Sequence, residues 1–144
     1  MDKASIDPAR RIIIPRTIFH SMVSHCVQSL PNEACGILAG KGNAVSEIFM
    51  MTNIKASPVS YLMDPAEQFR MMRELRDKEP FMVAIYHSHP CDPALPSVAD
   101  IEQAYYEEAL HIIVSLAGGE PVVKAFSIKK GIVGEVGIMI KDSM

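Results

Sequence analysis

The chain contains no tryptophan and only three cysteines in 144 residues. Cys26, Cys35 and Cys91 make no CxxC pair and no even set, so a disulfide framework is excluded and a reducing cytoplasm is the simplest compartment. Neither sign of charge dominates. Fourteen Lys and Arg against 17 Asp and Glu leave a net charge of −3, which gives no electrostatic case for nucleic acid or for an anionic membrane. Long apolar runs are also missing, each falling far short of the ~20 residues that cross a bilayer. No basic segment followed by a hydrophobic stretch opens the chain, and no repeat, low-complexity tract or linker interrupts it.

What remains is the composition of a soluble globular protein, 49% hydrophobic and 22% charged. This length favours one domain over residues 1–144, with 1–10 a loose polar lead, and buries roughly 68–70% of the unfolded surface. Arg11–Ile14 reads as a strand, and Pro15 as the first residue of a helix running to about Leu30, with Ile18, Met22, Cys26 and Leu30 on one stripe. Glu33–Leu38 and Ala44–Thr52 form a hairpin around Gly40–Asn43. Asp64 caps a helix that starts at Pro65 and runs to about Lys78. Phe81–Tyr86 is an apolar strand ending at His87, and a proline-stiffened loop leads to a helix over Val98–Glu108. Leu110–Leu116, Val122–Ile128 and Ile132–Ile140 close the chain as strands. This order of mixed elements predicts an α/β sandwich around one sheet.

The densest chemistry lies in His87-Ser88-His89-Pro90, followed by Ser97 and Asp100. Imidazoles two residues apart on a strand project from one face. A carboxylate follows eleven residues later, at the start of the Val98 helix. Two imidazole nitrogens and one carboxylate oxygen make a partial zinc shell, and three protein ligands leave a fourth tetrahedral position for water, the pattern of a catalytic site. The same residues also read as ordinary strand polar contacts and as a capping box, with Ser97 the N-cap and Asp100 in the first turn. The two roles are compatible, since a cap at Ser97 would aim Asp100 at the histidines.

The spacing His87-Ser88-His89-Pro90, six residues, Ser97, two residues, Asp100 resembles the signature of the JAMM (MPN-plus) metallopeptidases. Pro31-Asn32-Glu33-Ala34-Cys35-Gly36-Ile37-Leu38-Ala39-Gly40 resembles that family's upstream glutamate strand, and Asn53, Ser57-Pro58 and Met63-Asp64-Pro65 resemble its short bacterial and archaeal members. The similarity spans roughly residues 12 to 128. It implies a cytidine-deaminase-like α/β/α sandwich with a mixed, mostly antiparallel sheet flanked by helices. It also implies one zinc per chain on His87, His89 and Asp100, with Glu33 as general base. For Ser97 it favours a hydroxyl donor to the oxyanion over a purely capping role.

Other polar residues carry blander readings. His20 and His25 lie about 140° apart around a helix and cannot share a metal. His111 reads as a polar strand end, Cys35 as a small buried hydrophobe on the face of Glu33, and Arg70, Arg73 and Arg76 as a solvated face. The methionines read as packing. Cys91 follows His89-Pro90, but adjacency in sequence makes no cysteine–histidine dyad.

The leading expectation is a zinc-dependent peptidase or isopeptidase. Members of the resembled family cut after the C-terminal Gly-Gly of ubiquitin-like proteins, and short prokaryotic members are associated with sulfur-carrier proteins of that fold. The chain lacks long insertions for gripping a globular substrate, so recognition would rest on the extended tail, with Val59–Met63 as an edge for strand addition. The alternative is a non-catalytic interaction module of the same fold, against which the intact set Glu33, His87, His89, Ser97 and Asp100 argues. A DNA-repair-associated branch shares the His-x-His-Pro loop, but the acidic balance and missing DNA-binding domain oppose it.

Overall fold

The computed structural model describes residues 11–76 and 80–142. The expected loose lead over 1–10 and the expected helix end at Lys78 lie outside the described residues. Strand β1 (Arg11–Pro15) buries Ile12 and Ile14, and helix α1 (Arg16–Gln28) follows without a break. Pro15 closes the strand and takes the N-cap position, so it stands one residue ahead of the helix rather than opening it. The helix also stops at Gln28. Met22 and Cys26 of the predicted stripe are fully buried, whereas Leu30 lies beyond the helix and is exposed.

A hairpin joins β2 (Cys35–Lys41) to β3 (Ala44–Met51). Gly42 sits in its turn at φ +59°, where a side chain would be strained. Helix α2 (Pro65–Leu75) begins as predicted: the Asp64 carboxylate accepts from the Ala66 amide and Pro65 occupies the first helical position. Strand β4 (Phe81–His89) runs through both histidines. Helix α3 (Val98–Glu102) is one turn long and ends well before the expected Glu108. Strands β5 (Leu110–Ser115), β6 (Val122–Lys129) and β7 (Ile132–Lys141) complete the order.

The strands are ordered β1-β3-β2-β4-β5-β6-β7, with β7 returning to β1. Pairings β2–β3, β2–β4, β5–β6 and β6–β7 are antiparallel, and β4–β5, β1–β7 and β1–β3 are parallel. Alternation along the strands divides the core. One face gives Ile12, Leu38, Tyr86, Ile112, Ala125 and Val136 to a cluster that Met22 and Cys26 of α1 complete. Cys35, Ile37 and Ile85 point the other way and meet Met71 of α2, while Ile113 and Phe126 meet Ile101 of α3. The mixed, mostly antiparallel sheet with helices on both faces is therefore present. The expected sandwich needs one correction: β1 touches both β3 and β7 and closes the sheet into a barrel, because two of its three isoleucines, Ile12 and Ile14, belong to the interior that all the other strands line.

Candidate metal centre and active site

Strand β4 lies between β2 and β5, so both histidines are carried on backbone paired on either side. His87 faces Cys35 across the β2 ladder, and both histidine side chains leave the sheet on the face opposite Tyr86 and Ser88. Those two inward residues fix the strand end. The Ser88 hydroxyl accepts from the Ala34 amide at 2.8 Å, while the Ser88 amide donates to the Ala34 carbonyl at 3.1 Å. Tyr86 fills the space over Gly36, where an added Cβ would lie 2.3 Å from its ring. Its hydroxyl pairs with His25 Nδ1 at 2.7 Å.

Helix α3 supplies the third group. Ser97 caps it, accepting from the Asp100 amide at 3.1 Å, and Asp100 Oδ2 accepts from the Ser97 amide at 2.9 Å, completing the capping box. That box turns Oδ2 toward the histidines, 3.2 Å from each Nε2, and the two Nε2 atoms are 3.2 Å apart. Three donors on an equilateral triangle fit a tetrahedral ion: bonds of about 2.0–2.1 Å give tetrahedral edges of about 3.3 Å. Their identities also fit. His89 Nδ1 lies 2.8 Å from the Pro93 carbonyl, which can only accept, so in the neutral ring Nε2 is left with its lone pair toward the triangle. His87, His89 and Asp100 could hold a metal ion.

The electrostatics belong to the same cluster. Burial alone would raise the Asp100 carboxyl, but hydrogen bonds from His87, His89 and the Ser97 amide hold it well below the usual carboxylate range. Burial lowers His89, yet its bonds to Asp100 and Pro93 prevail and its pKa is raised.

Glu33 precedes β2 by two residues. Extending the register that pairs Cys35 with His87 places it beside His89, on the same face. It is 6% exposed, and burial pushes its carboxyl up to about 7, with Asp100 and Asp92 adding and His89 opposing. A cavity of about 330 Å³ adjoins it, lined also by His25, Ser29, Asn32, Thr52 and Asn53. All five singled-out residues are thus brought together, with the exposed Ser97 hydroxyl engaged as a cap.

Tyr61 lies within the Val59–Met63 edge, and its ring stacks on His87 with centroids 4.7 Å apart and planes 25° from parallel. No spacing in the sequence reports that contact. His111, expected as a polar strand end, is buried at the second position of β5, and burial pushes it down to about 4. Its Nε2 and the Nδ1 of His87 are the buried side-chain polar atoms without a partner among the described residues. Cys35 is buried among apolar groups with its thiol pushed up to about 12, which suits packing. Arg70, Arg73 and Arg76 are exposed, Cys91 is exposed, and His20 lies apart on α1. Met22, Met51, Met63 and Met71 are core residues, whereas Met50, Met72 and Met139 are exposed. No helix among the described residues is long and apolar enough to cross a membrane.

Residues 15–129 match the model for prokaryotic homologs of the JAB domain, and the chain belongs to that family. It is 37% identical over 106 residues to the CysO-cysteine peptidase of Mycobacterium tuberculosis strain H37Rv, covering 72% of this chain and 73% of that one. It is 31% identical over 121 residues to the probable TtuB-protein conjugate cleaving protease of Thermus thermophilus, covering 83% of this chain and 78% of that protein. A protein of Desulfitobacterium hafniense with a known solution structure superimposes at a TM-score of 0.83 and 36% identity, over 92% of this chain and 94% of that one.

Proposed function

We propose that this protein is a zinc-dependent peptidase or isopeptidase that hydrolyses the bond after the C-terminal Gly-Gly of a ubiquitin-like or sulfur-carrier protein. The observation that carries this reading is the 3.2 Å triangle of His87, His89 and Asp100 with the buried Glu33 beside it. The relatives named as peptidases and as a conjugate-cleaving protease support the reaction class. The same reading takes the fold as cytidine-deaminase-like and the compartment as cytoplasmic.

His87, His89 and Asp100 would hold one zinc ion through Nε2, Nε2 and Oδ2. When bound, zinc supplies a water that is acidic near neutral pH and an electrophile for the scissile carbonyl. Glu33 takes the proton of the attacking water and delivers it to the leaving amine, so one carboxylate serves as base and then acid. Ser97 releases its capping bond and donates its hydroxyl to the oxyanion. The segment Val59–Met63, with Val59 and Leu62 exposed, receives the tail as an added strand. Glycines at the cleaved end let that backbone pass His87, His89 and Asp100 without side-chain clashes.

Cleavage of a ubiquitin-like carrier extended after its Gly-Gly, followed by mass spectrometry, tests the assignment. Release of the carrier ending in Gly-Gly is expected, and replacing those glycines by Val or Leu should abolish it. Equal cleavage of bulky-tailed carriers or of generic unfolded peptides would contradict it.

A further inference from the structure

Glu33 lies outside the regular β2 ladder, and its backbone is held by one neighbouring segment. Its amide donates to the Ser57 carbonyl at 2.8 Å, and its carbonyl accepts from Asn53 Nδ2 at 3.0 Å. Both partners belong to residues 53–63, which fold back on themselves through an Asn53–Met63 bridge and an Ile54 amide bond to the Leu62 carbonyl. An asparagine side chain has two N–H donors and two acceptor lone pairs. Asn53 uses all four: Nδ2 donates to Glu33 and Ser60 carbonyls, and Oδ1 accepts from the Lys55 and Leu62 amides at 3.1 and 3.0 Å. The same segment carries Tyr61, whose ring lies on His87. One amide therefore joins the backbone of Glu33 to the piece of chain that packs on His87.

We infer that Asn53 is a positioning residue for the hydrolysis, clamping the backbone of Glu33 to the 53–63 segment and so fixing the base relative to the His87, His89 and Asp100 triad. This rests on the role given to Glu33 above. Only asparagine satisfies the site. An ionised aspartate of the same shape would turn acceptor oxygens toward two carbonyls, glutamine overshoots by a methylene, and serine offers a single donor. The triad has independent supports in Pro93, the capping box and the β4 ladders. Loss of the clamp should therefore displace the base and leave the metal site standing.

The test compares Asn53→Asp and Asn53→Ala with wild type as full chains, by zinc content, steady-state kinetics on a Gly-Gly-extended carrier and amide hydrogen exchange. Asn53→Asp retains the acceptor for Lys55 and Leu62 and severs the links to Glu33 and Ser60, whereas Asn53→Ala loses all four bonds, so the pair grades loss of the clamp against loss of the loop's own turn. Since a misplacement of about 1 Å can lower a rate ~10²-fold, both variants should lose roughly ten- to a hundredfold in kcat, and KM should rise less in Asn53→Asp, which keeps the Leu62 bond of the tail-binding edge, than in Asn53→Ala. Zinc should stay at about one per chain. Exchange should quicken at the Glu33 amide, which Asn53 does not touch directly, and stay slow along β4. In a Glu33→Gln background, Asn53→Asp should lower the residual rate by less than about twofold, as residues acting through one another are not additive. Wild-type kcat in Asn53→Asp, loss of zinc together with rate, or an undiminished effect in the Glu33→Gln background would overturn the clamp. If wild type cleaves no such carrier, the functional reading fails instead, and unchanged protection at Glu33 would then overturn the clamp by itself.

Discussion

The two sides of the site are built differently. His87 and His89 lie on a strand paired on both edges, and Asp100 is aimed by a capping box in its own helix turn. Glu33 lies beyond the end of its strand and is held by a side chain and a carbonyl of an irregular segment. Ladder hydrogen bonds repeat along an element, so losing one leaves neighbours in place, whereas Asn53 alone bonds the Glu33 carbonyl and the Ala34–Ser88 pair holds only the residue that follows. Under the proposed function, the His87, His89 and Asp100 side would keep three metal donors at fixed separations. The base side is suited to fine placement, and it is the side on which a small change should alter rate without altering metal content.

The largest effect should follow from breaking the ligand side. Ala in place of His87, His89 or Asp100 removes one of three donors, with no further ligand grouped with them among the described residues, and elemental analysis should find most of the zinc lost along with all measurable turnover. Next comes Ser97, which stands between the two sides. Ser97→Ala should lower kcat by ~10²–10³ if its hydroxyl serves the oxyanion. A variant that loses roughly 0.5–2 kcal/mol of stability and keeps its kcat would leave Ser97 as a helix cap alone.

Packing behind the triad should matter less and in stability rather than rate. Gly36→Ala drives a Cβ to 2.3 Å from the Tyr86 ring, inside the core on the far side of β4. Overpacking of this kind costs about 1–3 kcal/mol, to be read from denaturant unfolding. An unchanged midpoint would show that Tyr86 has room to move.

The smallest expected effect concerns pH. Burial lowers the His25 pKa from 6.5 in the folded chain. Below 6.5 the unfolded chain then binds a proton that the folded chain does not, so this group makes stability fall as the pH drops through that value. Above 6.5 it contributes no slope. His25→Gln should flatten the acid limb of a stability-against-pH curve, while the lost bond to Tyr86 lowers the curve evenly. An unaltered slope would remove His25 as a source of acid sensitivity.

Features with a local cause could be read from the sequence. Asp64-Pro65 starts α2, Gly42 turns the hairpin, and the His-x-His spacing with Ser97 and Asp100 defines the ligand side, because each depends on residues a few positions apart. Helix α3 shows where local reading stops. Gln103–Glu108 contains good helix formers, yet the helix ends at Glu102 and the chain passes through turns, with the Ala109 amide on the Tyr106 carbonyl, into β5, so tertiary context overrides propensity. Closure of the sheet through β1, the Tyr61–His87 stack and the fourfold bonding of Asn53 join residues far apart in the chain or irregular backbone. No periodicity announces them. The ligand side of the site was thus legible, and the support of the base side was not.

Glu33→Gln gives the most direct test, with zinc content and turnover measured on the same preparation. The amide fills the same volume but cannot accept the water's proton, so zinc should remain at about one per chain while the rate falls by ~10²–10⁴. Near-wild-type turnover with zinc bound would contradict the role of Glu33 as the base.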